Sequence, residues 1–378
     1  MTILGVIMMY AISCLSMIGI FSIMPFISRK NVSFGVSIPE EVWYTPEIKS
    51  MRKNYLVKGL VLSAVILAAA VFSSLIVNLP DDEYLFSIPA MLLILISYGV
   101  LYLSSYKKMK KLKAQSEWKN QSREVIVVDT SFRRGKHIMS ALWLLLYPAV
   151  IVPSTVLGAV LYDQAPDQIP MNFDFSGRVY NFVEKTPRVI YMAPAIQFFL
   201  AVIFTFAYWM IVRSKQQVDA ANPEKSAEQN RKFRYRWSAF VIFSGFGMQL
   251  MFVLVHLSNL GVIRDLRFIA ITPLMFCMLM IGSVILLSVT TGQSGNRIHV
   301  FQDKNGNKVS ITREDDKYWK LGSLYYNPED PSLFIEKRFG IGWTMNWARP
   351  MSWVIMGGLL LFIAGMMIFS SQMRNNAF

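Results

Sequence analysis

Long apolar runs alternate with short basic or mixed segments along the whole chain. A helix needs about 20 mostly apolar residues to cross the hydrocarbon core of a bilayer, and the chain offers that length repeatedly. The runs cover residues 3–27, 57–78, 87–105, 138–162, 189–212, 237–260, 268–290 and 351–371. This pattern predicts an all-α polytopic membrane protein with about eight transmembrane helices.

The composition favours a core embedded in lipid. Of the 378 residues, 54% are hydrophobic and 16% are charged, whereas soluble globular proteins carry about 25% charged residues. These values argue against a soluble enzyme. The first run lacks a basic segment before it and is long, so we interpret it as a retained helix rather than a cleaved signal peptide. Cys14 and Cys277 fall within apolar runs and are interpreted as core side chains.

Lysine and arginine are distributed unevenly between the segments that join the runs. The basic segments that should share one side of the membrane are 28–56, 106–137, 213–236 and 291–350. Counted with Lys58, they hold 32 of the 38 Lys and Arg residues. The positive-inside rule assigns them to the cytoplasm, so both termini are expected outside. The basic stretch 107–113 is interpreted as part of this signal and as a contact for anionic lipid, and no nucleic-acid binding is expected.

Segment 291–350 has the composition of a soluble module. Its Asn305-Gly306 pair predicts a tight β-hairpin, because both central residues of a type I′ turn need positive φ. Gly340 and Gly342 are interpreted as turn glycines. We expect a small cytoplasmic module that contains a β-hairpin and precedes the last helix. The predicted division of the chain is 1–137, 138–212, 213–290, 291–350 and 351–378.

The interiors of the apolar runs contain no Asp, Glu, Lys or Arg. Ionisable residues inside a membrane normally mark ion pathways and proton relays, so a proton-coupled pump is disfavoured. His256 and Gln249 lie on one face of a helix, where we expect hydrogen bonds between helices; a pocket lining is the alternative. No hydrolytic, nucleotide-binding or metal motif is present, so no catalytic residue, cofactor or metal is predicted.

The loop 163–188 is the longest external segment, and it mixes charges with aromatic residues. Aromatic side chains supply contact area and charges supply orientation, so the loop suits a binding surface. The same composition suits a loop that folds onto its own helix ends, with its rings at the membrane interface. The residues alone leave both interpretations open.

This outer loop also resembles a known family. Ile169-Pro170, Phe173, Gly177, Phe182 and Lys185 are similar to the pattern I-P-x-H-F/W-N-x-x-G-x-x-D-x-Y/F-x-x-K. That pattern belongs to an uncharacterised membrane domain found in SdpI-type bacterial immunity proteins. The chain departs from it at Asn172, Asp174 and Tyr180. The candidate ligand-binding set combines positions of this pattern with charged and aromatic residues of the loop: Pro170, Asn172, Phe173, Asp174, Gly177, Arg178, Tyr180, Phe182 and Lys185.

A second resemblance covers Tyr318–Pro350. This stretch is similar to a short domain of unknown function that occurs at the C-terminal end of such membrane proteins in Gram-positive bacteria. The candidate residues that it implies in the module are Trp319, Gly322, Tyr325, Asn327, Pro328, Asp330, Pro331, Lys337, Arg338, Gly340, Gly342 and Asn346. Two interpretations stay open for the aromatic residues Trp319, Tyr325, Tyr326, Trp343 and Trp347. They form a face for a partner, or they anchor the module to the bilayer surface.

The two resemblances imply a multi-pass protein of the bacterial cell membrane, of the immunity and signalling type. In that interpretation the outer loop meets a peptide toxin or an envelope-active compound, and the inner segments signal to a cytoplasmic regulator. The expected partners are thus the lipid bilayer, an extracellular peptide and that regulator. The alternative is a transporter for a small amphipathic molecule, with a path along His256, Gln249 and Gln197.

Overall fold

The computed structural model describes residues 3–77, 86–116, 138–173, 176–216, 223–298 and 315–375. Within these ranges the chain is mostly helical. The helices are α1 (Ile3–Ile27), α2 (Pro46–Val77), α3 (Ser87–Gln115), α4 (Leu146–Val160), α5 (Pro187–Arg213), α6 (Pro223–Asn259), α7 (Leu266–Thr291) and α8 (Pro350–Asn375).

The helices follow the apolar runs, and several continue into polar flanks. Helix α2 begins at Pro46 and α6 at Pro223, well before their apolar runs begin. Proline is favoured in a first turn because its missing N–H is not needed there. Helix α3 continues to Gln115 through a lysine-rich stretch, since lysine is a good helix former. A short 3-10 helix, Ala141–Leu145, leads into α4.

The helices confirm a multi-pass membrane protein. Those long and apolar enough to cross a membrane are Pro46–Ser74, Ser87–Gln115, Ala141–Val160, Pro187–Arg213, Pro223–Asn259 and Leu266–Gly295. The described parts of α1 and α8 contain shorter apolar stretches, at Cys14–Ile27 and Pro350–Phe362. The exact number of spans and the side on which each terminus lies stay predictions.

Short antiparallel hairpins accompany the helices. They pair β1 (Val32–Ser33) with β2 (Val36–Ser37), β3 (Gln168–Phe173) with β4 (Val179–Glu184), β5 (Trp319–Lys320) with β6 (Leu324–Tyr325), and β7 (Phe334–Glu336) with β8 (Trp343–Met345). The sequence-based prediction confined strands to the module and missed β1–β2 and β3–β4. The hairpin predicted at Asn305-Gly306 lies outside the described residues.

The chain forms two compact units, each built from several segments. Unit 1 comprises Met1–Arg133, Lys215–Asn230 and Leu287–Ala348, and unit 2 comprises Arg134–Ser214, Arg231–Leu286 and Arg349–Phe378. Helices α6 and α7 each contribute residues to both units. The five-part division made from the sequence stays a prediction.

In unit 1, aromatic rings fill the space between α2, α3, the N-terminal connection (residues 28–45, between α1 and α2) and the module, here residues 315–348. The ring centroid of Phe34 lies 5.7 Å from that of Tyr55 and 5.9 Å from that of Phe339. Tyr102 lies 4.5 Å from Phe339. Aromatic pairs add about 0.5–1.5 kcal/mol each beyond their buried area. These contacts attach the module to the helices of its own unit.

In unit 2, buried polar groups connect α4, α5 and α6. The Gln197 amide donates to the carbonyl of Gln249 at 3.0 Å, and the Gln249 amide donates to the carbonyl of Gln197 at 2.9 Å. The His256 Nε2 atom lies 2.9 Å from the carbonyl oxygen of Ser154. The predicted hydrogen bonding between helices at Gln249 and His256 is therefore confirmed. The side chains of Gln197, Gln249 and His256 are fully buried.

Candidate functional site

Residues 163–188 contain the β3–β4 hairpin, which has one buried and one exposed face. Ile169 pairs with Val183, and the next pair is Pro170 with Phe182. Ile169 is fully buried in an apolar cluster with residues from the ends of α5 and α6, including Ile190. Phe182, on the other face, is 50% exposed. The loop thus folds onto its helix ends with one face and presents an aromatic residue on the other.

Lys185 holds the base of the hairpin. Its ammonium group donates to the carbonyl of Ala165 at 2.9 Å and lies 3.2 Å from a carboxylate oxygen of Asp167. The same ammonium group lies 5.6 Å from the ring centroid of Tyr162. The Lys185 side chain is only 17% exposed. Its position therefore suits a clamp for the hairpin better than a direct ligand contact.

At the tip of the hairpin, Gly177 has φ +82°, and a Cβ atom there would lie 3.0 Å from Cγ of Arg267. Only glycine meets both conditions without strain. Its neighbour Arg178 is exposed. Phe173 is half-buried and pairs with Val179. Among the predicted ligand residues, Asn172 and Tyr180 are placed by their backbones in β3 and β4, and Asp174 lies outside the described residues.

Backbone hydrogen bonds determine which groups of the hairpin point outward. The N–H of Lys185 donates to the carbonyl of Asp167 at 2.8 Å, as in a hydrogen-bonded pair of an antiparallel ladder. Hydrogen-bonded and non-bonded pairs alternate along an antiparallel ladder, so the pairs Gln168–Glu184 and Pro170–Phe182 are non-bonded. The N–H and C=O groups of Phe182 and Glu184 therefore point away from β3. In the part of the chain that the structure describes, no third strand pairs with β4. The opposite edge, along β3, lacks a donor at Pro170 and is bulged.

In the module, Asn346 connects two turns to the last strand. Its fully buried amide donates to the carbonyls of Asn327 at 2.8 Å and Asp330 at 3.0 Å. Its oxygen accepts from the backbone N–H of Asn327 at 3.0 Å and of Ala348 at 3.2 Å. The hydroxyl of Tyr325 donates to the carboxylate of Asp330 at 3.0 Å. The polar residues of the C-terminal resemblance thus form an internal framework.

The buried Arg338 connects the module to the N-terminal connection. Its guanidinium group bonds to the carboxylates of Asp315 and Asp316 and donates to the carbonyl of Gly35 at 3.1 Å. The same group lies 5.1 Å from the ring centroid of Trp319. Arginine is suited to this position because its planar fork can satisfy several acceptors and stack on a ring at once.

Two carboxylates of the module are paired with lysines of other segments of unit 1. Asp316 accepts from Lys113 of α3 at 2.7 Å, and Asp330 accepts from Lys215 at 2.8 Å. Burial alone would raise the pKa of each carboxyl group. The positive charges of Arg338 and Lys113 outweigh burial at Asp316, so its pKa lies below its usual range. Lys215 and local N–H donors lower the pKa of Asp330 in the same way.

Glu336 is a further buried carboxylate that sequence reasoning missed. Its oxygens accept from Asn230 at 2.6 Å and from Arg29 and Ser294. A buried carboxylate is tolerated only when paired and hydrogen-bonded, and these donors meet that condition. Arg29 and Glu336 are 307 positions apart, so no local pattern could have connected them.

The other candidate residues of the module lie in turns, in its core or on its surface. Gly340 and Gly342 have φ +79° and +110° in the connection between β7 and β8, which confirms turn glycines. Trp319, Tyr325 and Trp343 are buried, so they form neither a partner face nor a bilayer anchor. Gly322 is also buried. The exposed members of the set are Pro328, Pro331 and Lys337.

Comparisons with known proteins find similarity at the hairpin and at the module. Residues 149–198 match a domain of unknown function (DUF1648), and residues 328–353 match a family of unknown function (DUF5808). The first match spans the β3–β4 hairpin and parts of the helices on both sides of it. The second runs from the Asn346 framework into α8. No curated protein and no solved structure matches the chain.

Proposed function

We propose that this protein is a receptor of the immunity type in the bacterial plasma membrane. The β3–β4 hairpin binds a peptide toxin or a related envelope-active peptide outside, and the module signals to a cytoplasmic regulator. The positive-inside rule supports this orientation, because the hairpin lies in a segment poor in Lys and Arg and the module in a rich one. The SdpI-type resemblance of the outer loop supports the biological class.

The open edge of β4 is the observation that carries the peptide proposal. An exposed strand edge is a template for adding a further strand, and its N–H and C=O groups bind any extended peptide. The outward groups of Phe182 and Glu184 would supply the main-chain bonds. The ring of Phe182, which is half exposed, would supply apolar contact next to that edge.

Complementation of a deletion strain tests the proposal. The strain and its complemented form are exposed to a panel of peptide toxins and envelope-active antibiotics, and deletion is expected to sensitise cells to one class. Phe182→Pro removes an outward N–H and the ring, whereas Phe182→Ala removes only the ring. We expect protection to fall with Phe182→Ala and to be lost with Phe182→Pro, at equal membrane expression.

Gln168→Pro is the matched control. The Gln168–Glu184 pair is also non-bonded, so the N–H of Gln168 points outward on the opposite edge. Its replacement should leave protection intact. An equal loss of protection with Gln168→Pro and Phe182→Pro would show that the β4 edge does not bind the peptide. A deletion strain that behaves like wild type across the whole panel would overturn the immunity function itself.

A transporter of a small amphipathic molecule is the second candidate function. It is favoured by the buried polar line of Gln197, Gln249 and His256 in unit 2, because polar side chains inside a bundle can line a path. Reconstitution into liposomes separates the two candidates. Uptake or efflux that Gln197→Leu abolishes would support transport, whereas a receptor moves no solute across the bilayer.

A further inference from the structure

The β5–β6 hairpin of the module packs against α3 at the end of its apolar run. The hydroxyl of Tyr102 donates to the carbonyl of Leu321 at 3.0 Å. Gly322 is so close to this helix that an added Cβ atom would lie 2.7 Å from the Tyr102 hydroxyl and 2.8 Å from the Tyr106 ring. The position of the hairpin along α3 is therefore fixed by contacts of two adjacent residues in its turn.

This contact places the hairpin at the depth of a membrane interface. The apolar run of α3 ends at residue 105, and a stretch of lysines begins at Lys107. At 1.5 Å of rise per residue, Tyr102 lies about 7 Å to the apolar side of Lys107. The module also contacts α3 through the ion pair between Lys113 and Asp316. Lys113 lies about 16 Å from Tyr102 along the helix axis. The module therefore extends along α3, with the turn of β5–β6 at the membrane end.

The exposed residues of this hairpin have the composition of a membrane interface. Leu321 is 51% exposed, Leu324 45% and Tyr326 46%. Lys317 and Lys320 are exposed close by. The buried side of the hairpin consists of Trp319 and Tyr325, so the leucines are not needed to complete the core of the module. Apolar side chains flanked by lysines suit the boundary between acyl chains and anionic head groups.

We infer that the β5–β6 hairpin is a lipid anchor, which inserts Leu321, Leu324 and Tyr326 into the interface of an anionic leaflet. Lys317 and Lys320 contact the lipid head groups. The depth set by Tyr102 favours lipid over a soluble protein as the occupant of this surface, because a protein partner would have to enter the bilayer to reach it. The anchor holds the module against the membrane independently of any peptide bound by β3–β4.

Site-specific fluorescence in the full-length protein tests this anchor. Single cysteines at Leu321→Cys and Leu324→Cys, in a background without Cys14 and Cys277, are labelled with an environment-sensitive dye. The protein is reconstituted into nanodiscs that contain phosphatidylglycerol and a lipid with a shallow nitroxide quencher. Both labels are expected to show blue-shifted emission and strong quenching, and both effects should weaken in nanodiscs of neutral lipid.

Glu329→Cys is the matched control, because Glu329 is exposed on the same module and its carboxylate lies 3.4 Å from the Tyr318 hydroxyl, at the open end of the hairpin and not at its turn. Its label should keep the emission of an aqueous environment. Quenching at Leu321→Cys and Leu324→Cys no greater than at Glu329→Cys would overturn the anchor. Since Leu321 has φ +52°, the Leu324 label keeps the test valid if the first variant folds poorly. Blue-shifted labels that the lipid nitroxide does not quench would indicate a protein occupant and would also contradict the proposal.

Discussion

At the scale of single residues, buried polar groups with several partners determine the shape of the module. The amide of Asn346 makes hydrogen bonds to Asn327, Asp330 and Ala348, which no apolar side chain of that size could replace. A buried donor or acceptor left without a partner costs about 1–3 kcal/mol. The residues that a family pattern marks in this module therefore include several whose contribution is structural.

Replacement of Asn346 by alanine is expected to destabilise the module strongly. It leaves buried backbone groups of Asn327 and Asp330 without their partners, at a cost of about 3 kcal/mol in the free energy of unfolding. Limited proteolysis of the detergent-solubilised protein measures the effect as faster cleavage within residues 315–348. Glu329→Ala, at an exposed position of the same module, should change little. Equal cleavage of the two variants would contradict the structural role of Asn346.

The ion pairs of Asp316 predict a loss of stability in acid. Its folded-state pKa is depressed, so its contribution to stability is complete above the unfolded-state pKa of about 4 and is lost as the pH falls through the folded value. The midpoint of thermal unfolding, measured by circular dichroism from neutral pH to about pH 3, should decrease over this window.

In Asp316→Asn the midpoint should be lower at neutral pH and change less in acid than in the wild type. Asp265→Asn is the control, because Asp265 and its partner Arg267 have side chains that are 60% and 67% exposed. Exposed ion pairs contribute little to stability. The same pH profile for Asp316→Asn and for the wild type would show that the Asp316 pairs do not stabilise the fold.

At the scale of elements, the β3–β4 hairpin illustrates what a local pattern cannot predict. Helices longer than 20 residues were visible as apolar runs, whereas this hairpin has a proline at Pro170 and bulges between Pro170 and Phe173. A bulge breaks the alternation of buried and exposed positions by which a strand is identified. Its stability comes from packing on α5 and α6, and that packing is a tertiary property.

The clamp at Lys185 predicts how this element responds to mutation. Lys185→Met removes the charge-assisted bond to Ala165 and the ion pair with Asp167, which lowers the local stability of the hairpin by about 1–2 kcal/mol. Amide hydrogen exchange across residues 168–184 should become about tenfold faster. Arg188→Met, at an exposed position just after the clamp, is the control. Unchanged exchange in Lys185→Met would contradict the clamp.

At the scale of the whole molecule, composition and apolar runs were enough to predict a multi-pass helical protein. They could not predict the division into two units, because each unit combines segments that are distant along the chain. The buried contacts of Glu336 with Arg29 and Asn230 likewise join residues that are distant along the chain. The outer loop and the module were identified from composition and resemblance, while the open edge of β4 became visible only from its register.

The receptor proposal requires the β3–β4 hairpin and the module to lie on opposite sides of the membrane. Labelling of protoplasts with an impermeant maleimide tests this most directly, with Phe182→Cys or Glu329→Cys in a background lacking Cys14 and Cys277. We predict that Phe182→Cys is labelled in intact protoplasts and Glu329→Cys only after permeabilisation. Labelling of both positions from one side, or the inverse pattern, would contradict a receptor with an outer hairpin and an inner module.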